Sequence, residues 1–145
     1  MANKYGMVTL KIGDLNKPAP ASGYVYTPEA VQAAIDKLPK GPDGKHYPIF
    51  GQAGRCKEIN PFELRPDVGN YTHHVSNIMI NGEDVIGDVK FLDTHMGKFL
   101  AEAIEQKIVY LTMEGTCKLV DNCVTDYRIM TVTAYTKPSY EHSNN

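Results

Sequence analysis

The only adjacent histidines in the chain lie in Thr72-His73-His74-Val75-Ser76, with a serine two residues beyond the second ring. A hydroxyl, an imidazole and an orienting acid are the parts of a nucleophilic hydrolase, so this run is the first to test for catalysis. On a strand, His73 and His74 point to opposite faces. That leaves His74 and Ser76 together, with no carboxylate nearby in sequence to orient the ring. The plainer expectation is one histidine on the solvent face and the other packed or hydrogen-bonded. Metal ligation by His46, His73, His74 and His95 would need the fold to gather them, because no closely spaced His-x-x-x-His or carboxylate triad is present. No metal and no cofactor is expected.

A second candidate is Gly51-Gln52-Ala53-Gly54-Arg55-Cys56 and the mixed charges beyond it, Lys57, Glu58, Arg65 and Asp67. Backbone amides near Gly51 and Gly54, together with the Arg55 guanidinium, could converge on a phosphate or carboxylate. The ligand-binding candidates are therefore Gly51, Gln52, Gly54, Arg55, Lys57 and Arg65, with His73, His74 and Thr112. The competing reading is a solvated loop, the commoner fate of scattered charge, in which the glycines are ordinary turn residues.

Composition narrows the function classes. A chain of 145 residues, 42% hydrophobic and 22% charged, has the balance of one globular domain with one core. With 15 Lys+Arg against 17 Asp+Glu, it lacks the basic bias of a dedicated nucleic-acid binder. No apolar run is long enough to span a bilayer, and MANKYGMVTLKIGDL lacks the plan of a signal peptide, so the cytoplasm is the expected compartment. Cys56, Cys117 and Cys123 lack metal-ligand spacing. Cys117 and Cys123 could face each other across a hairpin, but free thiols are expected in a reducing compartment.

The elements that must position these residues follow from periodicity. Alternation over residues 7–12 predicts a strand. Thr27 as N-cap, Pro28 at the first helical position and Val31, Ala34, Ile35 and Leu38 at helical spacing predict a helix that Pro39 stops. Residues 46–52 (HYPIFGQ) read as a short buried strand, and 53–70 as an irregular connection of the kind that often carries a site. Residues 71–80 and 85–92 form a hairpin about Asn81-Gly82. Asp93 or Thr94 then caps a helix whose apolar face is Met96, Phe99, Leu100, Ala103 and Ile104, a stripe expected to be core. Strands at 108–113 and 116–120 turn at Gly115, 124–135 forms the last strand, and 136–145 reads as a flexible tail. The result is an α+β fold: one domain over 1–145, with a curved antiparallel sheet or small β-barrel and two main helices.

These features, in this order, resemble the prohead (capsid maturation) proteases of tailed phages, whose fold is shared with the herpesvirus capsid assembly proteases. GYVYTPEAVQAAI at 23–35 resembles the early helix, YPIFGQ at 47–52 the strand leading to the catalytic histidine, and 72–104 the central hairpin and following helix. Leu92-Asp93-Thr94-x-x-Gly97-Lys98 is the strongest piece, and the resemblance covers roughly residues 20–135. It also implies where catalysis should sit. The family's Gly-Glu-x-x-His-Pro histidine corresponds to Arg55, which cannot act as a base at neutral pH. Its serine falls in Thr112-Met113-Glu114-Gly115, at Thr112 or Met113, and methionine is no nucleophile.

The resemblance therefore implies a phage-encoded, catalytically inactive relative that acts by binding, in capsid assembly or in the virion. The implied partners are phage capsid or assembly proteins and further copies of the chain as a homo-oligomer, with no membrane or nucleic-acid partner. Its expected location is the host cytoplasm or the virion. Two alternatives stand beside this reading: a sponge for a small anionic ligand, such as a nucleotide defence signal, and a residual hydrolase using Thr112, or Ser76 with His74.

Overall fold

In the computed structural model the described residues are 6–20, 22–54, 57–60, 63–65 and 70–136, with 57–60 and 63–65 described by backbone alone. The elements are β1 (Met7–Asp14), α1 (Pro28–Asp36), β2 (Ile49–Gln52), β3 (Lys57–Asn60), β4 (Glu63–Arg65), β5 (Tyr71–Asn81), β6 (Asp84–Phe91), α2 (His95–Glu105), β7 (Val109–Val120) and β8 (Cys123–Thr136). A four-stranded antiparallel sheet runs β1-β6-β5-β2, and β3-β4 and β7-β8 form separate two-stranded ribbons. This is the α+β fold expected from the periodicity, with α1 lying on β8 and β5, and α2 against β5, β6 and β7.

Local chemistry explains both helix starts. Thr27 Oγ1 accepts from the Ala30 amide at 3.2 Å ahead of Pro28, and Thr94 Oγ1 accepts from the Gly97 amide at 3.0 Å. Each hydroxyl satisfies one of the orphan donors of a first turn. Gly97 also has a packing reason. A Cβ there would collide with the Leu92 carbonyl, so the chain can swing from β6 into α2 this tightly only with glycine. Between β5 and β6, Gly82 takes φ 65° at the head of the expected tight turn.

Four expectations are corrected. Gly115 is not a turn: it lies inside the 12-residue β7, at a register shift where its Cα meets the Arg128 carbonyl too closely to admit a Cβ. The chain reverses instead at Asp121-Asn122, with φ 49° and 66°, which these short polar residues tolerate. Met96 and Phe99 are not core: they are 51% and 62% exposed, and α2 buries Gly97, Leu100, Ala101 and Ala103. The connection after β2 is not wholly irregular, since β3 and β4 pair within it. The strand expected over 46–52 begins only at Ile49.

The barrel alternative is not realised. Among the described residues β2 and β8 meet through one parallel bridge, Ala53 to Ala134, rather than a ladder. The core is contiguous nonetheless. Ile12, Val31, Val75, Val85, Val89, Val124, Tyr127 and Val132 are its most enclosed side chains, drawn from both sheets and α1.

Candidate functional site

The seam between β2, β5 and β8 holds a polar side chain that is fully buried and bonded at both ring nitrogens. His73 is fully buried, its Nε2 lies 2.6 Å from the Val132 carbonyl oxygen, and its Nδ1 lies 2.8 Å from Thr72 Oγ1. A carbonyl can only accept, so Nε2 carries the proton and Nδ1 accepts from the threonine hydroxyl. Burial pulls the imidazole pKa down to about 4, outweighing the Val132 carbonyl, which favours the charged ring. His73 is thus a neutral ring with both nitrogens occupied, linking β5 to the β8 backbone. A second side-chain bond, Thr131 Oγ1 to the Phe50 carbonyl at 2.9 Å, ties the same strands.

Gly51 belongs to this seam. It pairs with His73 across β2 and β5, and a Cβ there would run into both the Val132 oxygen and the His73 ring. The Gly54 amide is bonded to the Ala134 carbonyl at 2.9 Å, and Gln52 is buried with Nε2 3.4 Å from the Gly54 carbonyl. The Gly54 amide is therefore committed to the fold rather than turned toward a ligand. Arg55 and Cys56 lie outside the described residues, as do the side chains of Lys57 and Arg65.

His74 and Ser76 share the opposite face of β5. His74 lies edge-on to Phe50 at 5.5 Å, its Nδ1 without a partner among the described residues, and burial followed by the nearby Lys90 charge lowers its pKa. Ser76 Oγ is 3.9 Å from Met7 Sδ. A carboxylate that the sequence order hid, Asp88, stands opposite Ser76 across the ladder. Thr9 Oγ1 and Asn77 Nδ2 donate to it at 2.6 and 2.9 Å, holding its pKa below the usual range. Among the described residues it orients no histidine.

Thr112 and Met113 take opposite faces of β7. Thr112 is 8% exposed opposite Thr133, on a face that also carries Thr131, Glu114 and Tyr135, whose hydroxyl donates to the Glu114 carboxylate at 2.9 Å. Met113 is buried in the core, against the space left by Gly13. Cys117 and Cys123 are free thiols, and they are not cross-strand partners: Cys123 sits opposite Val120.

A cleft of about 310 Å³ opens beside the seam, lined by Ala53, Asn70, Tyr71, Thr72, Thr94, His95 and Met96. Residues at both ends of the connection between β2 and β5 line it, as does the start of α2. Sequence reasoning missed this site, although the Thr94 cap and the ends of the 53–70 connection were visible clues. Among the described residues no three of His, Cys, Asp or Glu gather as a metal site, and no helix is long and apolar enough to cross a membrane.

Antiparallel sheets with two helices place the chain in the α+β class, with a fold like that of a phage capsid protease. One solved structure that it matches is the bacteriophage T4 capsid assembly protease, gp21, with a TM-score of 0.55 and 14% identity over 90% of this chain and 97% of that one. At that identity the similarity is one of fold. No family model and no curated protein matches the chain.

Proposed function

We propose that this chain acts by binding in phage capsid assembly and does not hydrolyse peptides. The observation that carries the reading is the state of the two positions where the resemblance puts the nucleophile. Thr112 is enclosed opposite Thr133, and Met113 is turned into the core. Hydrolysis needs a hydroxyl within hydrogen-bond reach of a base. His73, the most enclosed imidazole, already uses both nitrogens, while Ser76 and His74 each have other neighbours. The capsid role draws its support from the shared fold with the T4 protease. The anionic-ligand reading rests on Arg55, Lys57 and Arg65, whose side chains lie outside the described residues, so it gains no support here.

The test combines a serine-reactive phosphonate, a purified capsid scaffold protein as substrate, and a pull-down from infected cells. The expected results are no adduct, an intact scaffold protein and recovery of a capsid component. A covalent adduct on Thr112 or Ser76, or specific scaffold cleavage, overturns the non-hydrolytic reading. A pull-down lacking every capsid component overturns the capsid role.

A further inference from the structure

We infer that the cleft beside the seam is a binding site for an uncharged amide, the group shared by a peptide bond and by the side chains of glutamine and asparagine. Its volume, about 310 Å³, is that of a site for a small group rather than for a whole domain. Two hydroxyl residues from different elements line it, and the fold has fixed what each hydroxyl can do. Thr72, on β5, gives its hydroxyl proton to His73 Nδ1 at 2.8 Å, because the other ring nitrogen is the protonated one. The Thr72 oxygen is left only as an acceptor. Thr94, at the head of α2, accepts from the Gly97 amide at 3.0 Å, and its own proton has no acceptor among the described residues. That hydroxyl is left as a donor.

An amide is the complement of this pair. Its N–H suits the Thr72 oxygen, and its carbonyl oxygen suits the Thr94 hydroxyl. A carboxylate brings no donor and sets lone pairs against Thr72, while an ammonium brings no acceptor for Thr94. The rest of the lining agrees. Among the described residues no carboxylate, ammonium or guanidinium lines the cleft, so nothing there clamps a charged ligand. His95, which can gain a charge, is exposed to solvent, and solvent screens it. Tyr71 and the half-uncovered Met96 supply apolar surface for the carbon atoms that flank an amide. None of the lining residues is a position where the resemblance puts catalysis, so the inference stands apart from the question of hydrolysis, and an amide need not come from a capsid protein.

Titration of the isotope-labelled full chain, followed by amide NMR, tests it with propionamide, N-acetylalanine N-methylamide and propionate. Both amides should bind saturably at roughly 1–10 mM, as small fragments do, and shift the backbone amides of Tyr71, Thr72, His95 and Met96. Propionate, which matches propionamide in size, should bind at least about tenfold more weakly. The tighter amide names the source: N-acetylalanine N-methylamide a peptide group, propionamide a glutamine or asparagine side chain. Thr94→Asp keeps a capping oxygen but removes the donor, so it should fold and weaken both amides roughly tenfold, whereas Thr94→Ser should bind like the parent. If Thr94→Asp fails to fold, propionamide against propionate on the parent chain decides alone. No saturable shift with either amide up to roughly 100 mM overturns the inference. So does propionate binding as tightly as propionamide, or a folded Thr94→Asp that binds undiminished.

Discussion

His73 Nε2 donates to the Val132 carbonyl oxygen at 2.6 Å, so an imidazole from β5 satisfies a β8 acceptor that faces the β2 strand. The neutral ring also accepts from Thr72 Oγ1 at Nδ1, the bond that protonation would remove, while Nε2 would go on donating to Val132.

Stability should accordingly depend on pH. The folded chain keeps His73 neutral down to about 4, whereas the free side chain protonates near 6.5. The unfolded chain takes up the proton first, so stability is full above 6.5, falls as pH drops toward 4, and levels off below. The span is on the order of 3 kcal/mol. Urea denaturation at a series of pH values, compared with His73→Gln, reads it. Parallel curves for the two proteins above about pH 5, where carboxylates contribute little, would rule the linkage out.

Gly51→Ala should destabilise by at least about 3 kcal/mol, because the new methyl meets the Val132 backbone and the His73 ring, neither of which can move aside cheaply. Thermal unfolding checks this. A melting temperature equal to the parent's would mean the seam is looser than it looks.

At the start of α2 two positions should defy or follow helix propensity. Gly97→Ala, which would stabilise an isolated helix by about 1 kcal/mol, should destabilise here through the Leu92 carbonyl. Thr94→Ala should cost about 1 kcal/mol by orphaning the Gly97 amide, and Thr94→Ser should cost little. Chemical denaturation of the three variants decides, with a stabilised Gly97→Ala as the contrary result.

His46 Nε2 accepts from the Ile78 amide at 3.1 Å, at the register shift in β5 where that amide leaves the β6 ladder. Removing the ring in His46→Ala should cost about 1–2 kcal/mol and speed hydrogen exchange at Ile78. Unchanged exchange at that amide would show that the ring is not its protector.

Periodicity revealed most of the fold. Val31, Ala34 and Leu38 marked one helix, Asn81-Gly82 one hairpin, and the Thr94 cap the other helix, because these signals are local. Gly115 and the Met96-Phe99 pair misled for a shared reason. A glycine reads the same whether it turns the chain or lets a neighbouring backbone approach, and an apolar stripe does not say which of its members the domain is wide enough to cover. The candidate site was less legible. Asp88 lies far from Ser76 along the chain yet directly opposite it, and the ring nitrogens of His73 are assigned by Thr72 and by Val132, which is distant in sequence.

By itself the amino-acid sequence determined the elements, their order and the α+β class, since caps, turns and hydrophobic alternation act over a few residues. Only the tertiary structure decided which hydroxyls and rings are sequestered, that His73 ties β5 to β8 while β2 meets β8 without a full ladder, and that Phe99 faces outward. Those outcomes depend on which distant backbones come within a side chain's reach.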